Sequence, residues 1–132
     1  VEMLGAVPHE NMPNVYRQAD VFCYPSIPTQ GWIEQFGISV IEALACGLPV
    51  VVSNCGSFLD FAEESLKYEE DGGLVTLTPP MDFALLRNVI GEAIELSWEP
   101  YIREAAREMA LQSYSSEVVG AALRRVYLGE AT

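Results

Sequence analysis

The chain has 132 residues, half of them hydrophobic, and its seven Lys and Arg against nineteen Asp and Glu give a formal net charge of −12. That is enough apolar material for one compact domain or part of a larger one. A charge of that sign repels phosphate backbones over a Debye length of about 8–10 Å, which excludes nucleic acid as an expected partner.

No apolar run approaches the roughly 18 residues of a membrane span, and no basic-then-apolar leader opens the sequence, so the chain is expected to be soluble and cytosolic. Cys23, Cys46 and Cys55 lack metal-ligand spacing and sit in apolar stretches, which reads as reduced packing residues.

Residues 1–4 predict a short strand closed by Gly5. Met12, Val15, Tyr16 and Ala19 recur three or four apart and predict an amphipathic helix over 11–19, with Pro13 tolerated in its first turn. Residues 21–24 follow as a short buried strand ended by Pro25. His9, the only histidine, falls in a turn beside Glu10; with no nucleophile or second histidine nearby it reads as a surface residue. Residues 27–33 form a loop at the carboxyl end of that strand, where ligands gather in α/β sheets. Trp32 within it reads equally as a contact surface or as a hydrophobic plug.

The next unit carries most of the information. Phe36, Val40, Ile41, Leu44 and Ala45 keep helical spacing, and Gly47 followed by Pro49 is a stop signal, so a helix is expected over 37–46. Residues 49–53 then read as a strand buried on both faces. Glu34 precedes the helix and Glu42 lies inside it. A carboxylate in so apolar a setting needs a hydrogen-bonding partner. The amides of Phe36, Gly37 and Ile38 open the helix, where unpaired N–H groups and the dipole favour an anion.

Asn54-Cys55-Gly56-Ser57 is a second strand-to-helix turn, with Asp60 after it. The run 69–73 reads as a solvated acidic turn without metal-ligand geometry, leading into a strand over 74–77. Helices are expected from Asp82, from Pro100 to about Gln112, and from Ser115 to about Gly129. Strands alternating with helices, the strands almost continuously apolar, give an α/β class with a parallel sheet.

The blocks Pro25-Ser26, Glu34-Gln35-Phe36-Gly37, Glu42-Ala43 and Gly47-Leu48-Pro49-Val50-Val51 resemble, in order and spacing, the C-terminal domain of the retaining group 1 (family 4) glycosyltransferases of the GT-B fold. Leu4-Gly5-Ala6-Val7-Pro8 and Ala19-Asp20-Val21 extend the likeness before them, Gly56 and Gly72-Gly73-Leu74-Val75 after them. The family signature is two glutamates with seven residues between, which Glu34 and Glu42 match.

The resemblance implies a Rossmann-like parallel sheet with flanking helices, in part only. Family members carry two further β-α units upstream, so residues 1–132 would be a partial C-terminal nucleotide-sugar-binding domain holding strands three to six of a 3-2-1-4-5-6 sheet. It implies transfer of a sugar from a nucleotide-diphosphate donor to an acceptor hydroxyl with retention of configuration. Glu34, the candidate catalytic residue, would bond donor-sugar hydroxyls; the amides near Phe36, Gly37 and Ile38 would hold the diphosphate; Glu42 would accept from the ribose. Trp32 would be placed to meet the donor sugar or the partner domain.

No metal or cofactor is implied beyond the nucleotide sugar. The acceptor site and the upstream basic clamp would lie in the missing N-terminal part, so the chain alone is expected to be inactive. Peripheral membrane association of the parent is left open.

Where the family usually has two glycines, with an acid three residues after the second, this chain has Gly56, Ser57 and Asp60. Ser57 is expected to cost that turn freedom, and Asp60 reads as a helix-dipole acid or a ligand contact. A non-catalytic interaction module on a degenerate domain is the alternative reading. A dinucleotide binder would need a Gly-x-Gly-x-x-Gly turn, which is absent. A two-carboxylate glycosidase is disfavoured because Glu42, five residues into its helix, is placed for ribose more readily than for an anomeric carbon. A first strand without its neighbours and a bare sheet face predict a dimer, a strand swap, or pairing of residues 1–4 beside 21–24.

Overall fold

The computed structural model describes residues 1–69 and 73–129. A 3-10 turn, His9–Asn11, runs into the short helix α1, Met12–Tyr16, with Pro13 in its first turn. Strand β1 is Phe22–Tyr24, helix α2 is Ile38–Ala45, and strand β2 is Val50–Ser53. Helix α3, Phe58–Ser65, leads to β3, Val75–Thr78; α4, Phe83–Leu96, α5, Pro100–Tyr114, and α6, Ser116–Leu128, complete the described chain.

Parallel neighbours need a crossover, and here each crossover is a helix. The sheet is parallel throughout in the order β1-β2-β3, with Phe22 opposite Val50 and Val50 opposite Val75. Strand β2 is buried along its whole length. Val50 and Val52 join Leu44, Phe58, Phe61, Ala106 and Met109 in the main core. By strand alternation Val51 faces the other way, where α4 lies across β2 and β3. The helices begin where their sequences say: Asp82 accepts from the Leu85 amide at 2.9 Å and Ser115 from the Val118 amide at 3.3 Å, as side-chain N-caps do.

Helix α5 lies against α2, with Ala105, Ala106, Met109 and Ala110 in the same core as Val40, Ala43 and Leu44, and the three alanines of α5 let the two helices approach closely. At the end of α2 the chain turns through Gly47, φ +84°, directly under the Arg107 guanidinium, which donates to the Cys46 carbonyl at 3.4 Å.

Several expectations are corrected. Residues 1–4 form no strand and are exposed, so among the described residues β1 has only β2 as a neighbour and the expected pairing of 1–4 with 21–24 does not occur in the single chain. A strand exists only by pairing, and apolar residues before a glycine do not supply a partner. The helix expected over 11–19 is divided into the 3-10 turn and α1, ending at Tyr16. The strand expected over 74–77 starts one residue later. Glu69 is not solvated: it is 7 % exposed and accepts from the Gly73 amide at 2.6 Å. The rest of that acidic run, residues 70–72, lies outside the described residues. The sheet face expected to be bare is covered by α4 over β2 and β3, leaving Cys23 on β1 half-buried.

Candidate functional site

The loop after β1 turns back at Gly31, φ +89°, where Thr29 and Trp32 exchange backbone hydrogen bonds of 3.0 and 3.2 Å. Trp32 is 50 % exposed at a shallow cavity of about 300 Å³ with Pro28, Thr29, Ile33 and Gln35, so it does not act as a buried plug. The loop ends at Glu34, whose Oε1 accepts from the Gly37 amide at 3.1 Å. Gly37 caps α2 in the left-handed region, φ 69° and ψ 53°. A β-carbon there would come within 2.6 Å of Phe58 Cε1, so only glycine brings the helix start down onto that buried ring.

One of the three amides expected to hold an anion is therefore engaged by Glu34 itself. Among the described residues the Phe36 and Ile38 amides have no protein acceptor. Phe36 is half-exposed with its ring 6.1 Å from that of Phe61, and Ile38 is exposed.

The second turn closes on the same place. Gly56, φ +57°, lies so close to Glu34 that a β-carbon would stand 1.9 Å from the Glu34 carbonyl oxygen. The constraint expected at Ser57 is absent: its φ of −75° suits any residue, and the special geometry is carried by Gly56 alone. The Ser57 hydroxyl is buried and has no partner among the described residues. Asp60 is exposed in the first turn of α3, where the dipole favours an acid.

Around Glu34, its hydrogen bond is the main cause holding the Tyr24 phenol above its ordinary pKa, with burial adding. Burial, and then the Glu34 charge, push the Cys55 thiol up.

Glu42 lies one helical turn beyond Ile38. Ile38, Glu42 and Ala45 share one stripe by their i, i+4, i+7 spacing, while Val40, Ala43 and Leu44 are buried on the opposite side. The partner expected for Glu42 is Tyr16: its hydroxyl donates to Glu42 Oε2 at 3.0 Å. The Tyr16 phenol is pushed up to about 12, first by burial and then by that bond and the glutamate charge. His9, its side chain 87 % exposed, places Nδ1 3.7 Å from Glu42 Oε1. A cavity of about 310 Å³ opens beside them, lined by His9, Met12, Tyr16, Arg17, Glu42 and Cys46 among others.

Sequence reasoning missed Tyr16, taken only as part of an apolar helix face, and His9, taken only as surface. Both meet Glu42 across more than twenty residues of chain. The clue at hand was the need of Glu42 for a donor, but the sequence offers Tyr24 nearer to it than Tyr16 and does not say which. No group of three or more His, Cys, Asp and Glu stands close enough to hold a metal ion among the described residues. No helix there is long and apolar enough to cross a membrane.

The family model for glycosyl transferases group 1 matches residues 1–84. The chain is similar to a phosphatidyl-myo-inositol mannosyltransferase of Mycobacterium leprae, 33 % identical over all of this chain and 32 % of the relative. It is 35 % identical to the protein of that name in Mycobacterium tuberculosis (strain ATCC 25618 / H37Rv), over 96 % of this chain and 32 % of the relative. It is 34 % identical to O-antigen chain mannosyltransferase B of Escherichia coli, over 74 % of this chain and 22 % of the relative. The chain thus spans between about a fifth and a third of the length of these relatives. No solved structure matches it.

Proposed function

This chain belongs to the group 1 glycosyltransferases, and on that premise we propose that it is the donor-binding portion of a retaining enzyme that moves a sugar from a nucleoside diphosphate to an acceptor hydroxyl. The observation that carries this reading is one helix with two uses. At its start the Phe36 and Ile38 amides are without acceptors among the described residues, and on the stripe that runs from Ile38 the Glu42 carboxylate opens on a cavity.

In the proposed mechanism the diphosphate rests at the amino end of α2. Departure of the nucleoside diphosphate builds negative charge, and amide donors aimed at it in advance lower the barrier; one such donor is worth about 3–4 kcal/mol. Glu34, fixed by the Gly37 amide, bonds hydroxyls of the donor sugar through its remaining acceptor sites. Glu42 accepts from the ribose. The reading calls for no divalent metal, since the helix amides and basic residues from elsewhere in the protein carry the diphosphate charge. The acceptor is held by another part of the protein. Three of the relatives named above are mannosyltransferases, so mannose is the sugar we propose for the donor.

The test is calorimetric titration of the full chain with nucleoside diphosphates and nucleotide sugars, mannosyl donors first, repeated on Glu42→Ala. The expected outcome is binding that depends on the ribose hydroxyls and is lost in the variant. Nucleotide binding that ignores the Glu42 change, or no binding at all, removes the reading.

A further inference from the structure

We propose that Tyr16 is a positioning residue for the nucleoside, fixing the Glu42 carboxylate so that Oε1 is the oxygen presented to the ribose. This rests on the donor-binding reading of Glu42 given above.

Glu42 sits on a helix, and a glutamate side chain there has three rotatable bonds to order before it can accept from a diol, at a cost in conformational entropy. Tyr16 meets that cost before any ligand arrives. Tyr16 is 6 % exposed, its ring edge-on against that of Phe22 with centroids 5.7 Å apart, so the hydroxyl has little freedom. It donates to Glu42 Oε2 at 3.0 Å. Oε2 is thereby committed to the protein. Oε1, with His9 Nδ1 at 3.7 Å as its other neighbour, is too far from that nitrogen for a good hydrogen bond and keeps its lone pairs for a ligand in the cavity.

The bond links α1 to α2 across 26 residues, and the side chains on either side of it, Met12, Arg17 and Cys46, line the same cavity. A tyrosine with only a packing role has no need of its hydroxyl at this spot. A hydroxyl that charge-assists a carboxylate at a cavity mouth has a use in orienting it.

The experiment measures, on the full chain, the affinity for ADP, GDP and UDP and for their 2′-deoxy and 3′-deoxy counterparts, in the parent protein, Tyr16→Phe and Glu42→Ala. Phenylalanine keeps the ring and its contact with Phe22. The expected result is that Tyr16→Phe reduces the preference for ribose over deoxyribose by about three- to tenfold, with deoxynucleotide affinity unchanged.

Equal losses for both ligand types would mean a packing role and overturn the proposal. So would an unchanged preference in Tyr16→Phe alongside its loss in Glu42→Ala, which leaves the donor-binding reading standing. A preference that survives in Glu42→Ala, or the absence of nucleotide binding in the parent protein, fails the donor-binding reading itself and takes this one with it. A ligand-free measurement guards against a Tyr16→Phe chain that does not fold. Glu42→Ala should lower the titration of Tyr16 from about 12 toward its ordinary value, and a titration that does not move overturns the proposal.

Discussion

Glu34 and Glu42 stand at two ends of the same short stretch, each with a tyrosine for company, yet they are built into the molecule in opposite ways. Glu34 is enclosed by backbone: its side chain closes on the Gly37 amide, its carbonyl presses on Gly56, and Gly37 in turn rests on Phe58. Among the described residues Glu42 is held by a side chain, the Tyr16 hydroxyl, with the exposed His9 nearby and open volume beside it. The first carboxylate therefore has a part in the fold before it has any part in chemistry. The second can be removed with little structural cost, which makes it the cleaner reporter of function.

The sharpest way to break this contrast is at the glycines. In Gly56→Ala a β-carbon would meet a backbone carbonyl at 1.9 Å with φ at +57°, and backbone has nowhere soft to yield. We expect a loss above about 4 kcal/mol, seen as failure to unfold cooperatively on heating. Gly37→Ala meets a ring edge at 2.6 Å with φ at +69°. The left-handed backbone and the displaced Phe58 ring together should cost about 2–4 kcal/mol, measured by urea unfolding. If both substitutions were mild, the enclosure of Glu34 described above would be wrong.

The parts legible in the sequence are those that local signals decide. Helix α2 falls within a residue of its expected ends because apolar spacing, Gly47 and Pro49 all act within a few residues of it. Strand β2 is legible because four consecutive apolar or small residues admit little else. Residues 1–4 are misread because strand formation depends on a neighbour that no local pattern reveals. Glu69 is misread because an acidic run suggests solvent, whereas the decisive feature is the Gly73 amide folding back onto one of its members.

The two candidate glutamates are legible as a pair, but their partners are not. Tyr16 and His9 reach Glu42 through the placement of α1 against α2, and Gly56 reaches Glu34 through the packing of two loops. Contacts of that kind are set by tertiary structure.

A smaller effect separates the carboxylates themselves. Glu34→Ala removes the acceptor of the Gly37 amide and should lower stability by about 1 kcal/mol, as loss of one hydrogen bond does. Glu42→Ala leaves the backbone bonds of α2 intact and should change it less. Chemical denaturation of the two variants side by side measures the difference, and a Glu42→Ala loss exceeding that of Glu34→Ala would reverse the assignment of which carboxylate belongs to the fold.

The least effect at neutral pH is expected from the tyrosines, and it emerges only in alkali. Burial and the Glu42 bond raise Tyr16 from 10.0 to about 12. Tyr114 is raised from 10.0 to about 12 as well, by burial and then by the charges of Glu64 and Asp60. A phenol whose pKa is raised on folding favours the folded chain fully below its unfolded value, and that contribution is lost as pH climbs through the folded value. Stability should therefore hold up to about pH 10 and fall between there and about 12.

The double variant Tyr16→Phe, Tyr114→Phe has neither phenol to ionise and should lose less across that window, read as the midpoint of thermal unfolding against pH. Tyr16→Phe alone divides the effect between the Glu42 cavity and the packing of Tyr114 on Phe61, whose ring centroids lie 5.1 Å apart. Parallel alkaline losses in the parent and double variant would mean that both phenols ionise as freely in the folded chain as in the unfolded one. The Tyr16 hydroxyl would then not be the sheltered donor on which the orientation of Glu42 depends.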